Sequence, residues 1–247
     1  MREYVRPWVV TDPPDALLLD WDSVVGCGRV WKRTIIRLCA HFGVEITLEE
    51  IELAHGRNEI RCLWAYVQRI LLQHEITISV DDVQKLEAVL YYGDSSISGL
   101  CAEEGLLVSC ETLTTLAESV NGRIAIVTNR PRDRIHAALE STGLSRKCIF
   151  RSVVSRSDVG DQLKPHPAGV LEACRRLAVQ VSRAIMVDDS PTGIEAAVTA
   201  GAMPIGVAAA GNMQLRTSLW RAGASNIIES LDGLLAMIPS RNGKEGS

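Results

Sequence analysis

Two aspartates one residue apart, Asp20 and Asp22, close the apolar run Leu17-Leu18-Leu19. A second acidic pair, Asp188-Asp189, closes Ile185-Met186-Val187 and is followed by Ser190. Between them in the chain, Thr128-Asn129 ends Ile124-Ala125-Ile126-Val127, and Lys164 opens the loop segment Lys164-Pro165-His166-Pro167. Paired carboxylates can hold a hard cation, and one can act as nucleophile while its neighbour serves as general acid and base. A hydroxyl followed by a backbone N–H makes a small anion cradle, and a lysine beside aspartates answers both their charge and that of a phosphate. Met at one place, these groups would perform magnesium-dependent phosphoryl transfer. Taken singly, each has a plainer reading: solvated strand ends for Asp20 and Asp22, a strand-end cap for Thr128, a solvated loop lysine for Lys164. Ser190, with Pro191 after it, reads as a helix N-cap.

An apolar run that stops at a polar residue is the signature of a buried parallel strand, and ligands of open α/β sheets bind beyond the carboxyl ends of such strands. The pattern from residue 123 onward alternates strand and helix: strands over 123–129, 148–154, 184–189, 204–208 and 226–228, and helices over 132–142, 168–178, 192–200, 213–221 and 231–237. That alternation predicts a doubly wound parallel sheet with helices on both faces. The first strand, 16–22, lies far upstream. Residues 30–100 between them read as helical, with Trp31, Ile35, Leu38 and Phe42 on one face, Ile60, Leu63, Trp64, Val67, Ile70 and Leu71 on another, and Val83, Leu86 and Leu90 on a third. A helix over 111–120 returns the chain to the sheet. The expected organisation is a core domain of 15–28 and 105–240, an inserted helical cap of 29–104, and tails of 1–14 and 241–247.

A chain of 247 residues carries one such core and an insert. Its net charge of -4 supplies no basic footprint for nucleic acid or for a membrane surface. The seven cysteines are scattered, without a CxxC pair, which argues against a disulfide framework or a zinc site and for a reducing compartment. With no apolar run of transmembrane length and no signal-peptide pattern before Asp15, the expectation is a cytoplasmic protein, monomeric or homodimeric; the phosphoryl-transfer reading of the motif residues adds a small phosphorylated metabolite as its expected substrate.

The order Asp-x-Asp, Thr-Asn, Lys-Pro, Asp-Asp resembles the four motifs of the haloacid dehalogenase superfamily, over about residues 17–238. The likeness is strongest at Lys164-Pro165-His166-Pro167 and from Val187 through Asp188-Asp189-Ser190-Pro191-Thr192-Gly193 to Ala200-Gly201. It is similar to the phosphoglycolate phosphatase and β-phosphoglucomutase branch, whose helical cap follows the first motif. The resemblance implies Asp20 as a nucleophile forming an aspartyl-phosphate and Asp22 as the acid and base. It implies Thr128 and Lys164 holding the phosphoryl group with Asn129 beside them. Magnesium would be held by Asp20, the backbone carbonyl of Asp22 and Asp189, with Asp188 assisting.

Two stretches depart from that pattern. Ser23 stands where glycine is usual, offering its backbone N–H to phosphate if its conformation permits, and Gly26-Cys27-Gly28 predicts a flexible hinge into the cap. Within the superfamily, Asp22 argues against dehalogenases and phosphonoacetaldehyde hydrolases, and Lys32, where the mutases carry a histidine, favours hydrolysis over the alternative of a phosphomutase. A catalytically silent phospho-ligand-binding relative is a further alternative. A two-component receiver is disfavoured because Lys164 precedes Asp188-Asp189. His55-Gly56-Arg57-Asn58 resembles the glycine-centred cap loop, making His55, Arg57 and Asn58 candidates for substrate contact or simply a solvated turn. Arg130 is placed to reach a substrate carboxylate or second phosphate, or to pair with a surface acid, and Trp21 reads as core packing.

Overall fold

The computed structural model describes residues 13–26, 29–56, 63–92 and 105–238. Six strands form one sheet: β1 (Ala16–Leu19), β2 (Ile124–Val127), β3 (Ser152–Val154), β4 (Ala184–Asp188), β5 (Met203–Val207) and β6 (Asn226–Ile228). All neighbours are parallel, in the order β3-β2-β1-β4-β5-β6. The central strands β1, β2 and β4 are buried along their whole length, as strands covered on both faces must be.

Side-chain alternation divides these strands between two cores. Leu17, Leu19, Ile124, Ile126, Ile185 and Val187 point to one face, packed with Leu113, Leu116, Ile135 and Leu234 from helices α5 (Cys110–Ser119), α6 (Arg132–Ser141) and α11 (Leu231–Leu235). Ala16, Leu18, Ala125, Val127, Ala184 and Met186 point to the other, against Val170, Ala173 and Leu177 of α8 (Ala168–Leu177) and Ala196 and Ala197 of α9 (Pro191–Ala200). A short helix α7 (Arg156–Val159) precedes α8, and α10 (Met213–Arg221) lies between β5 and β6. Each large aliphatic side chain buried here contributes roughly 1.5–3 kcal/mol, so the strands that position the polar residues are also those that hold the core together.

A third apolar cluster belongs entirely to the inserted helices α1 (Arg29–His41), α2 (Leu48–Gly56), α3 (Leu63–Gln73) and α4 (Val80–Tyr92) and their connections. Ile35, Leu38, Ile51, Val67, Leu71 and Val83 form its centre. The faces expected from spacing hold for Ile35 and Leu38, for Val67, Ile70 and Leu71, and for Val83; Ile60 lies outside the described residues.

Several expected elements are corrected. Helix α2 falls within the stretch expected to be helical but is not delimited there, although Thr47 and Glu50 form a reciprocal cap: Thr47 N–H donates to Glu50 Oε2 at 2.7 Å, and Glu50 N–H donates to Thr47 Oγ1 at 3.2 Å. The strand expected over 148–154 is confined to Ser152–Val154. Leu144–Lys147 forms a 3₁₀ turn, and Cys148 takes a left-handed conformation with φ of 50°. β3 is an edge strand with a single neighbour, so only the segment registered against β2 is extended. The sequence 16–22 leaves the sheet at Leu19, so strand alternation does not align Asp20 with Asp22.

Candidate active site

β1 and β4 are adjacent at the point where strand order reverses, the crevice in which ligands of open α/β sheets bind. Leu19 registers with Ile126 and with Val187, and this alignment brings Asp20, Thr128 and Asp188-Asp189 to one edge. The Asp20 amide donates to the Val187 carbonyl at 2.9 Å, fixing the residue just past the strand end. Lys164 arrives from the loop after α7. Its backbone N–H donates to Asn129 Oδ1 at 3.0 Å, and its Nζ donates to Asp20 Oδ1 at 2.5 Å and to Asp188 Oδ2 at 2.8 Å. Four segments distant in sequence therefore meet at Lys164: Asp20 and Asp188 through its buried ammonium and Asn129 through its backbone N–H.

Asp188 is the strut of this cluster. Its Oδ1 accepts from the Ser190 N–H at 2.9 Å and from Ser190 Oγ at 2.6 Å, while Ser190 Oγ also accepts from Gly193 N–H at 3.1 Å. Ser190 is thus the N-cap of α9, with Pro191 opening the helix, as its sequence position implied. Gly193 has a packing reason of its own: a Cβ there would lie 1.9 Å from Asp188 Cγ.

Asp20, Asp188 and Asp189 are all buried, and each offers a carboxylate oxygen within 4.8 Å of the others. Burial pushes the Asp20 carboxyl well above its usual range; Lys164 pulls it back, but Asp188, Asp22 and Asp189 push it up again. For Lys164, burial disfavours the charge, yet Asp188 and Asp20 outweigh it and hold the ammonium above the usual lysine range. At Asp20 burial leads and the neighbouring carboxylates add to it, while at Lys164 those carboxylates overcome burial; the result is a site that attracts protons and cations. Three hard oxygen donors suit magnesium rather than a thiolate- or imidazole-seeking metal, so the residues present fit the ion expected.

Asp22 lies outside this triad of carboxylates. It sits in a tight turn, bridged to Gly26, and its carboxylate is forked by Arg130: Nε donates to Oδ2 at 2.7 Å and Nη2 to Oδ1 at 2.6 Å. Thr128 Oγ1 accepts from the Arg130 N–H at 3.2 Å, so its own hydroxyl proton is available to another acceptor. Ser23 has a φ of 61°, in the left-handed region its glycine counterparts reach without strain. Its N–H, expected to face phosphate, donates instead to the Gly26 carbonyl at 3.0 Å. Nor is Gly26 a loose hinge: its N–H donates to the Trp21 carbonyl at 2.8 Å, and a Cβ would meet the Trp21 indole at 2.6 Å. Trp21 is buried in the core as expected; Cys27 and Gly28 lie outside the described residues.

A cleft of about 220 Å³ opens over the cluster, lined from the sheet side by Asp20, Asp22, Thr128, Asn129, Arg130, Lys164 and Asp189. The inserted helices close its other side with Trp31, His55, Trp64 and Glu87. His55, anticipated in a loop, is in the last turn of α2, its Nε2 3.4 Å from Asp189 Oδ2 and its ring 5.2 Å from that of Trp31. Arg57 and Asn58 lie outside the described residues. Sequence reading missed Arg134 and Glu87, which pair at 3.3 Å across the cleft wall between α6 and α4. Arg134 did carry a signal, since a cation in the first turn of a helix opposes the macrodipole and calls for an acid to answer it. Arg156 lies over the Trp64 ring at 4.6 Å and joins the same two layers.

A doubly wound sheet bearing carboxylates, a threonine and a lysine at its switch point defines a hydrolase of the superfamily the motifs resemble. A family model described as haloacid dehalogenase-like hydrolase matches residues 14–201, and the chain belongs to that family. It is 30% identical over 205 residues to an imidazoleglycerol-phosphate dehydratase of Phytophthora nicotianae, a match covering 80% of this chain and 44% of that protein. It is 33% identical over 125 residues to a plasmid phosphoglycolate phosphatase of Cupriavidus necator, covering 48% of this chain and 50% of that one. The chain thus spans about half the length of these relatives. In fold it resembles a phosphonoacetaldehyde hydrolase-like protein from Oleispira antarctica, with a TM-score of 0.72 at 20% identity and 91% of each chain covered.

Proposed function

We propose that this chain is a magnesium-dependent phosphatase that hydrolyses a small phosphomonoester through an aspartyl-phosphate on Asp20. The observation that carries the reading is the buried contact of Asp20 with Lys164, with Asp188 and Asp189 beside it and the Thr128 hydroxyl on the same edge. The similarity to the phosphoglycolate phosphatase of Cupriavidus necator supports the phosphatase part of this reading. Asp20 attacks phosphorus and the bond to the leaving oxygen breaks, with Asp22 supplying the proton that the departing alkoxide takes. Water, giving its proton to Asp22, then attacks the aspartyl-phosphate, which returns the Asp20 carboxylate and releases phosphate.

Lys164 orients the nucleophile and balances charge on the phosphoryl oxygens, and Thr128 donates its hydroxyl proton to one of them. Asn129 acts indirectly, holding the backbone that carries Lys164. Asp20, Asp188, Asp189 and the Asp22 carbonyl would hold magnesium, which when bound supplies positive charge against the nucleophile and the phosphoryl oxygens. The domain division, a cap over residues 29–104, belongs to this reading and is supported by the separate apolar cluster of the inserted helices. The test is phosphate release from 4-nitrophenyl phosphate with magnesium. Asp20→Asn is expected to lose roughly 10³-fold or more, and equal rates in variant and wild type would overturn the proposal.

A further inference from the structure

Two tryptophans of the inserted helices line the cleft over the phosphoryl site. Trp31 of α1 and Trp64 of α3 stand there with Leu63, and Pro131 and Leu163 line the cleft from the sheet side. Both indoles pack against the apolar cluster of the cap and are only half-buried. Each ring also has a polar partner. The Arg156 guanidinium of α7 lies 4.6 Å from the centre of the Trp64 ring. The Trp31 ring is 5.2 Å from that of His55, with the Lys32 ammonium 5.6 Å away, and Lys32 is tied to Glu52 at 3.3 Å. Cation–π and tilted ring contacts of this kind hold an aromatic plane in one orientation. Leucine would supply bulk to the cap core equally well; a plane held by partners from α2 and α7 is pre-organised for stacking.

We propose that the alcohol portion of the substrate carries a flat, uncharged aromatic ring, seated between Trp31 and Trp64 of the cap and Pro131 and Leu163 of the core. The inference rests on the phosphatase reading of this site and names the class of ester it takes. The ionic groups of the same wall are already engaged, Arg130 with Asp22 at 2.6 Å and Arg134 with Glu87 at 3.3 Å and Asp133 at 2.8 Å. A charged leaving group seated there would compete with these shielded pairs and leave a partner unanswered, which is costly. A neutral ring disturbs none of them. A cavity of about 150 Å³ holds a benzene ring, and this cleft, at about 220 Å³, takes one ring beside the phosphoryl group.

The test uses benzyl phosphate and cyclohexylmethyl phosphate, equal in charge and carbon count, with leaving alcohols of similar acidity, and differing in the flat π-face. In turnover with magnesium, wild-type kcat/KM is expected to favour benzyl phosphate by roughly 10-fold. Trp31→Leu and Trp64→Leu are each expected to lose kcat/KM chiefly for benzyl phosphate, while Trp64→Phe, which keeps a ring, retains most of the preference. A wild-type ratio near one overturns the assignment. Equal loss on both esters in the leucine variants would mean that the indoles only support the cap, and would also overturn it. Calorimetric titration of the same esters into Asp20→Asn protein with magnesium separates this claim from the phosphatase reading. If the wild type hydrolyses neither ester, the phosphatase reading fails, while tighter binding of benzyl phosphate still upholds the aromatic slot. Equal binding of the two esters, or binding of neither, overturns the slot.

Discussion

Asp20 stands where the folded chain disfavours a carboxylate, buried with three other aspartates around it and one lysine in reply. Asp20→Asn removes that charge, so the variant is expected to be more stable than wild type in chelator, by roughly 0.5–2 kcal/mol, while losing hydrolysis. Thermal denaturation in EDTA checks it, and a lower midpoint would contradict the direction. Ser23 is a different case of local cost. Its left-handed backbone is imposed by the turn that joins Trp21 to Gly26, and only glycine takes it without strain. Relief of the strain outweighs the added freedom of the unfolded chain, so Ser23→Gly is expected to stabilise by about 1 kcal/mol, measured by urea unfolding.

At the scale of elements, strand ends and helix caps place the chemistry. Asp158 shows how a cap supports the site from behind. It closes a capping box with Ser155 at the start of α7, the helix that leads to Lys164, and it accepts from Arg132 at 2.5 Å and from Arg176 at 2.6 Å. Although burial opposes it, hydrogen bonds from Ser155 and Arg176 hold its carboxyl far below the usual range. A carboxyl lowered on folding stabilises the native state above its unfolded pKa of about 4, and that contribution is lost as pH falls from there through the lower folded value. Asp158→Asn is expected to destabilise by about 1–3 kcal/mol at neutral pH and to flatten the acid side of the stability profile. Urea midpoints from pH 3 to pH 7 would show whether the two profiles converge toward acid, as they must.

The molecule as a whole joins a sheet and a helical layer across the cleft. Among the described residues, His55 to Asp189, Arg134 to Glu87 and Arg156 over Trp64 are contacts that span it. A cation bound by the folded carboxylates and not by the unfolded chain must stabilise the whole. Magnesium at 100 times its dissociation constant is expected to add about 2.7 kcal/mol, and Asp189→Asn to blunt that gain. Differential scanning fluorimetry with and without EDTA reads both, and an unresponsive wild type would remove magnesium from the site. Among the described residues no helix is long and apolar enough to cross a membrane. The described cysteines Cys39, Cys110, Cys148 and Cys174 are free thiols.

Order along the chain was enough to read the parallel sheet and the family, and to suggest the kind of chemistry proposed. Apolar runs ending in Asp20, Thr128 and Asp188, set among alternating helical patterns, read as buried parallel strands, and parallel strands deliver their last residues to one edge. The caps Ser190 and Pro191 were legible for a local reason, and the spacing of Thr47 and Glu50 marks the start of α2 in the same way. Partner choice across the cleft was not legible. Arg130 and Asp22 are separated by 108 positions, and Arg134 and Glu87 by 47. Arg130 carries the same guanidinium whether it faces a surface acid, a substrate or Asp22. Only the packing of α2 and α4 over the strand ends, and the tight turn after Trp21, decided which carboxylate lay within hydrogen-bond reach.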